Sequence, residues 1–282
     1  MIQTICVCGA GTMGAGIAQA AAQSRVFTLL FDVDATRLQR AQQSIDNNLT
    51  ALVQKQKISA ETRQQVLEHL RFTNDVQDCV ADLIIEAIIE EPAAKIALFN
   101  QLAEINHSEV VFASNTSSLS ITTLQHQIMQ PQRVAGLHFF NPATIMKLVE
   151  VVKGVDTSNE VVEQLLTFVH QLNKVPVLCK DAPGFIVNRV ARPYYIEALR
   201  IAEEGAVSFA TIDRLLESTG FKMGPFRLMD LIGNDINYAV SCSVYEQLGR
   251  PQRLQPSVLQ QQKVEQGKLG RKTGEGYYLY QQ

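Results

Sequence analysis

The chain has 282 residues, 46% hydrophobic and 19% charged, with a formal net charge of −3. That length accommodates one large domain or two ordinary ones, and the composition is that of a soluble globular protein. The weakly acidic balance gives no reason to expect a nucleic-acid or acidic-membrane binder, and no window holds the roughly 18 or more apolar residues of a membrane span. Met1-Ile2-Gln3-Thr4-Ile5 runs into a strand pattern without a basic leader or cleavage site, so a cytoplasmic protein is expected.

A strand over 3–7 ends at Gly9-Ala10-Gly11-Thr12-Met13-Gly14, which opens a helix over 12–23. In such a turn the first glycine permits the bend, the second lets backbone N–H groups reach a pyrophosphate, and the third packs helix on strand. G-x-G-x-x-G alone is weak evidence. Here a second strand, 26–31, leads into Asp32, at the spacing of about 20 residues where a carboxylate accepts from a ribose 2′-OH. A carboxylate there repels a 2′-phosphate, so the expected cofactor is NAD rather than NADP. Gly9, Gly11, Thr12, Met13, Gly14 and Asp32 are its candidate ligands.

Helices over 36–54 and 59–70, joined at Lys55-Gln56-Lys57-Ile58, make an insertion longer than one crossover needs. It reads as a protruding helical hairpin with a basic tip, and Ser59 with Glu61 suits the second helix start. Strands over 83–86, 110–113, 134–138, 147–152 and 176–178 follow, with helices over 92–105 and 159–172. This alternation predicts a Rossmann-type doubly wound α/β fold with a mainly parallel sheet. Asn141-Pro142 reads as a tight connection that could reverse direction, which makes a late antiparallel strand plausible. After Asp181-Ala182-Pro183-Gly184 helical patterns dominate: 185–204, 209–218, 228–248 and 257–266, with Pro193 expected to kink or break the first. The expected division is a cofactor-binding domain over 1–182 and an all-α domain over 183–282.

Five cysteines lie at positions 6, 8, 79, 179 and 242. Cys6 and Cys8 point to one face of a buried strand, and no further ligands follow nearby. They read as plain buried thiols, and no metal is expected.

His69, His107, His126 and His170 sit among polar residues and read as surface side chains. His138 differs. It ends a strand at the carboxyl edge of the sheet, where doubly wound folds place ligands, within an apolar run over 134–140. Glu150 is the one carboxylate in a second, mainly apolar run over 146–152. Buried polar groups are costly without partners, and the simplest partners are each other. A histidine held by a glutamate is an acid–base device. Asn115-Thr116-Ser117-Ser118 brings hydroxyls to the same edge, although such a segment is more often a helix cap. Asn188 lies early in the first helix after the boundary and by itself reads equally well as a surface amide.

The motifs taken together resemble the L-3-hydroxyacyl-CoA dehydrogenases. They are the glycine turn, Ser114-Asn115-Thr116-Ser117-Ser118-Leu119, Gly136-Leu137-His138-Phe139-Phe140-Asn141-Pro142, Met146-Lys147-Leu148-Val149-Glu150 and Asp181-Ala182-Pro183-Gly184-Phe185-Ile186-Val187-Asn188-Arg189. The match continues through Met223-Gly224-Pro225-Phe226 to Gly270-Arg271-Lys272-Thr273-Gly274-Glu275-Gly276-Tyr277-Tyr278, so it covers essentially the whole chain. Its length suits the compact, single-function form of the family, without a hydratase half.

The resemblance implies NAD-dependent, reversible oxidation of L-3-hydroxyacyl-CoA to 3-oxoacyl-CoA. It makes His138 the base, Glu150 its partner, and Ser117 and Asn188 the substrate contacts. It places Glu90 and Lys95 by the nicotinamide ribose, Asn141 by the substrate, and Lys57 where CoA meets the hairpin. It also implies a homodimer joined through the helical domain. An imidazole ordinarily titrates near ~6.5, close to working pH, so it can serve both directions. One departure matters: Ala143-Thr144 replaces a segment where many relatives carry a second proline. That is expected to loosen the loop beside the reacting carbon. Ile196 stands where an Asn is common, with no functional reading.

Other readings remain. A dehydrogenase of the 6-phosphogluconate dehydrogenase-like class would need a lysine on the first helix after the boundary, and no Lys occurs between Lys180 and Lys222. A dehydrogenase for a dicarboxylic 3-hydroxyacyl-CoA, or for a free hydroxy or sugar acid, stays open. So does a non-catalytic NAD-binding protein, against which the joint presence of Ser117, His138, Glu150 and Asn188 argues.

Overall fold

Short apolar strands alternate with helices from β1 (Thr4–Cys8) onward: α1 (Thr12–Gln23), β2 (Phe27–Phe31), α2 (Ala35–Gln54), α3 (Ala60–Glu68), β3 (Leu70–Thr73) and β4 (Leu83–Glu86). Then come α4 (Pro92–Ile105), β5 (Val111–Ser114), α5 (Ile121–Gln125), β6 (Val134–Phe139), β7 (Leu148–Lys153), α6 (Asn159–Gln171) and β8 (Val175–Lys180). They form one sheet in the order β3-β2-β1-β4-β5-β6-β7-β8 in this computed structural model, which describes residues 2–280. All neighbours are parallel except β6 and β7, so the expected late reversal is present.

The β1 side chains alternate between two faces. Ile5 and Val7 join Ile17, Ala18 and Ala21 of α1 in the main core, while Cys6 and Cys8 face the other side with their sulfurs 3.8 Å apart. Hydrogen bonding to Cys79 and burial push the Cys6 thiol up, as contact with Cys6 and Cys79 together with burial does for Cys8. These are buried thiols rather than thiolates, and no cluster among the described residues could hold a metal. Local chemistry starts the helices. Asp34 accepts from the Thr36 and Arg37 N–H groups, Ser59 from Thr62 N–H, Ser158 from Val161 N–H, and Pro92 occupies the first turn of α4.

Three expectations need correction. The helix predicted to reach residue 70 ends at Glu68, and Leu70–Thr73 forms the edge strand β3 against β2. Four residues are too few for a strand period to stand out beside a helical run. The hairpin of α2 and α3 does not simply protrude. Leu38, Ala41, Ile45 and Leu49 of α2 and Val66 of α3 belong to the main core, while the outer faces of both helices and the tip around Lys55 and Lys57 are exposed. Finally, the stretch predicted as one helix over 228–248 is two, parted at Gly233.

The contact pattern divides the chain into two units, Met1–Asp181 and Ala182–Gln282. The second contains α7 (Val187–Glu203), α8 (Phe209–Ser218), α9 (Pro225–Ile232), α10 (Asn234–Gln247) and α11 (Val258–Glu265). Pro193 lies within α7 without ending it. Gly233, with φ 104°, takes a backbone conformation that side chains resist, and it breaks α9 from α10. Tyr195, Leu199, Ile212, Phe226, Met229 and Tyr277 make this unit's core.

Two buried aspartates organise the second unit. Asp213 of α8 accepts from Phe226 N–H and Arg227 N–H at the start of α9, both at 3.0 Å, and from the Tyr278 hydroxyl at 2.7 Å. Asp230 accepts from Tyr277 N–H (2.9 Å), Tyr278 N–H (3.0 Å), the Tyr280 hydroxyl (2.9 Å) and the Asn234 amide (3.0 Å). A Cβ on Gly276 would come within 2.0 Å of the Asp230 carboxylate, which explains glycine there.

Candidate active site

The order of strands reverses direction between β1 and β4, so a crevice opens at their carboxyl ends. Gly9, with φ 108°, makes the turn out of β1, and a Cβ on Gly14 would lie 1.7 Å from the Gly9 carbonyl oxygen. These two glycines are there for backbone shape and packing. Gly11 is different: nothing lies within 4 Å of where its Cβ would be, and the α1 start carries no side-chain cap. An exposed, uncapped helix N-terminus is an anion site, and Thr12 and Met13 form its first turn. Asp32, 7% exposed, accepts from Ala10 N–H at 2.8 Å and from Asp34 N–H at 3.0 Å. Two acceptor oxygens held this way keep lone pairs for a ribose hydroxyl. This cradle fits a dinucleotide.

At the other side of the crevice, antiparallel pairing sets His138 directly opposite Glu150. His138 Nδ1 lies 2.7 Å from Glu150 Oε2, with Glu150 fully buried and His138 6% exposed. A carboxylate accepts only, so Nδ1 carries the proton and Nε2 is left as the base. The Phe140 ring packs on the imidazole with centroids 4.5 Å apart. Asn115 Oδ1 accepts from Phe139 N–H at 2.9 Å, tying the end of β5 to the residue after the histidine. On the far side of Glu150, burial and the carboxylates of Glu150 and Asp181 push the Cys179 thiol up to about 12, so it stays protonated.

Ser117 sits in the segment after β5, which is not a helix cap. Ser120 caps the following α5 through Thr123 N–H. Glu90 instead gathers the serine segment, accepting from Thr116 Oγ1, from Ser117 N–H at 3.1 Å and from Ser118 Oγ at 3.4 Å. Lys95, 1% exposed, joins Glu90 at 3.0 Å and Glu86 at 2.5 Å. Glu86, the last residue of β4, was absent from the residues singled out by sequence. It is fully buried and also accepts from Ser114 Oγ (2.6 Å) and Ile88 N–H (2.7 Å). Burial pushes its carboxyl up, while Lys95 pulls it back down. The available signal was a lone carboxylate ending the apolar run Leu83-Ile84-Ile85.

The loop between β6 and β7 is braced. Lys174, 7% exposed, donates to Ala143 O at 2.6 Å and Met146 O at 2.7 Å. Desolvation, then Lys147, lowers its amine below the ordinary lysine range. The loosening expected from Ala143-Thr144 is therefore countered by a cation that sequence did not reveal. Asn141, exposed, lies on this loop, and Lys57 is exposed at the hairpin tip away from these contacts. Asn188 occupies the first turn of α7 in the second unit, where its carbonyl accepts from Arg192 Nε at 3.0 Å.

A dinucleotide cradle facing an acid–base pair across the sheet's switch point defines the class as a dinucleotide-dependent oxidoreductase. Family models agree and narrow it: "3-hydroxyacyl-CoA dehydrogenase, NAD binding domain" matches residues 4–182, and "3-hydroxyacyl-CoA dehydrogenase, C-terminal domain" matches 184–280. The chain belongs to the 3-hydroxyacyl-CoA dehydrogenase family, oxidoreductases that act on the CH–OH group of 3-hydroxyacyl-CoA with NAD. It is 49% identical over 279 residues to the 3-hydroxyadipyl-CoA dehydrogenase of Escherichia coli, covering 98% of this chain but 59% of that longer protein. It is 40% identical to the mitochondrial hydroxyacyl-coenzyme A dehydrogenase of Sus scrofa, with 99% and 92% of the two chains covered. Its fold matches the crystal structure of (S)-3-hydroxybutyryl-CoA dehydrogenase from Ralstonia eutropha with a TM-score of 0.95 at 34% identity, over all of both chains.

Proposed function

We propose that this protein oxidises short-chain L-3-hydroxyacyl-CoA, such as 3-hydroxybutyryl-CoA, to the 3-oxoacyl-CoA and runs the reverse reaction as well. The observation that carries this reading is the buried His138–Glu150 pair at the carboxyl edge, beside a cradle that fits a dinucleotide. When bound, NAD supplies the hydride acceptor. Nε2 of His138 takes the proton of the substrate's 3-hydroxyl. Glu150 holds Nδ1–H, which fixes the tautomer and stabilises the imidazolium that forms. Ser117 and Asn188 orient the substrate oxygen. Gly9, Gly11, Thr12, Met13, Gly14 and Asp32 hold the cofactor, with Glu90 and Lys95 towards its nicotinamide end. Asn141 and Lys57 are the more distant substrate contacts.

The test is His138→Gln, assayed with acetoacetyl-CoA and NADH after NADH binding is confirmed. Loss of a positioned acid–base group costs about 10²–10⁴-fold in kcat, and turnover near wild type would remove His138 from this role. A dicarboxylic substrate, 3-hydroxyadipyl-CoA, is the second reading, favoured by the 49%-identical relative of that name. A kcat/KM series from short to long acyl chains, including a dicarboxylic member, separates the two. Free hydroxy or sugar acids drop out if activity needs the CoA moiety.

The same reading makes the second unit a substrate-binding and dimerisation domain. Its exposed Phe221, Leu231, Ile236 and Val258 support self-association, which light scattering on the purified chain tests. No described helix is long and apolar enough to cross a membrane. A cytoplasmic location belongs to the proposal, and cell fractionation tests it.

A further inference from the structure

Lys95 presents a problem that cofactor binding alone does not solve. Its ammonium is 1% exposed and lies in the first turn of α4, where the helix dipole disfavours a cation. Among the described residues, Glu86 and Glu90 offset that cost, one at 2.5 Å and the other at 3.0 Å. Two carboxylates around one ammonium leave one net negative charge. The cluster has a defined place. Glu86 pairs in register with Cys8, the last residue of β1, so it borders the crevice at the switch point. A dinucleotide across that crevice puts its adenosine half over β1–β3, where Asp32 stands, and its other half over β4–β6. The cluster therefore underlies the nicotinamide half.

The nicotinamide ring is cationic when oxidised and neutral once reduced. A fixed negative charge beneath it stabilises the oxidised form and leaves the reduced form nearly unaffected. We propose that Glu86 is a positioning residue which, by holding Lys95 against Glu90, sets one net negative charge under the nicotinamide and biases the site towards NAD over NADH. This rests on the reading that NAD lies across the β1–β4 crevice. Glu86 itself, fully buried, touches neither cofactor nor substrate. Its hydrogen bonds to Ser114 Oγ and Ile88 N–H keep it in place, so a glutamine there retains the shape and loses the charge.

The experiment measures equilibrium binding, not turnover. Kd for NADH is read by fluorescence and Kd for NAD by calorimetry, at fixed ionic strength, for wild type, Glu86→Gln and the double variant Glu86→Gln/Lys95→Met. In Glu86→Gln the cluster becomes neutral, and the ratio Kd(NAD)/Kd(NADH) rises about threefold to tenfold. In the double variant Glu90 alone restores one negative charge, and the ratio returns to within about twofold of wild type. If both constants weaken equally in Glu86→Gln, or if the double variant keeps the altered ratio, the proposal is overturned and Glu86 only supports the fold. Should Glu86→Gln fail to fold, Glu90→Gln makes the same change of charge at a partly exposed position. It must then raise the ratio as well, and an unchanged ratio is equally fatal. Wild-type protein that binds neither nucleotide would instead sink the underlying reading of the crevice.

Discussion

Both units bury carboxylates, but they use them differently. In the second unit, Asp213 and Asp230 receive backbone N–H groups and tyrosine hydroxyls from distant segments. They act as staples, holding the start of α9 and the chain from Gly270 to Tyr280 to a small core. In the first unit, Glu150 and Glu86 receive an imidazole and an ammonium at the carboxyl edge of an already large core. The fold there does not depend on them to the same degree. A buried charge in a small helical unit keeps segments together, whereas one at the rim of a sheet is available for chemistry.

Substitutions can break this contrast. The largest effect is expected for Asp230→Ala, which strands two backbone N–H groups, a hydroxyl and an amide. Hydrogen bonds to charged groups contribute about 1.5–3 kcal/mol each, so denaturant unfolding should show a loss of about 3 kcal/mol or more. A near-wild-type midpoint would remove the staple role. Glu150→Gln should do the reverse. A glutamine oxygen still accepts from Nδ1–H, so the midpoint should change little, while kcat falls about 100-fold as the imidazolium loses its counter-charge. If that variant unfolds before it loses rate, the two units do not differ as described.

Lys174→Met sharpens the contrast from the cationic side. It frees the loop carrying Asn141 and is expected to raise KM for acyl-CoA by about tenfold or less with kcat kept. Steady-state kinetics decide it, since a fall in kcat alone would mean that the loop positions His138 rather than substrate. The smallest effect is a pH slope from Glu86. Burial raises its folded carboxyl above the unfolded value, so the folded state keeps that proton longer. The stabilisation is present at acid pH and lost as pH rises from the ordinary carboxylate range through the raised value. Glu86→Gln should flatten that limb in denaturation curves collected across acid pH. An identical slope in both proteins would assign it to other groups.

Elements were legible in the chain where a helical pattern ran long enough or where, as in Leu83–Glu86, a short β-branched apolar run stood apart from any helical pattern. Thr12–Gln23, Pro92–Ile105, Phe209–Ser218 and Leu83–Glu86 coincide with the expected spans. β3 was not legible, because its four residues adjoin a helix whose pattern runs into them. Gly233 was passed over because one glycine inside an apolar helical run is often tolerated. The His138–Glu150 pair was legible because each interrupts an apolar stretch, His138 as its one imidazole and Glu150 as its one carboxylate, and two adjoining strands can bring such groups together. Lys95 as a fully buried ammonium was not, since a lysine in an amphipathic helix ordinarily points to water.

By itself, the order of residues determined the glycine turn with Asp32, the alternation that demands a parallel sheet, the family, and the two polar residues that had to find partners. Those are local patterns, governed by backbone conformation and by the cost of burying a charge. Only the tertiary structure decided that Glu86 closes a charge cluster around Lys95, that Lys174 braces the loop between β6 and β7, and that Asp213 and Asp230 hold the second unit together. Each of these joins groups on different elements through a crossover or a turn. The packing of helices, strands and loops against one another, rather than residue type, brings such groups within hydrogen-bond reach.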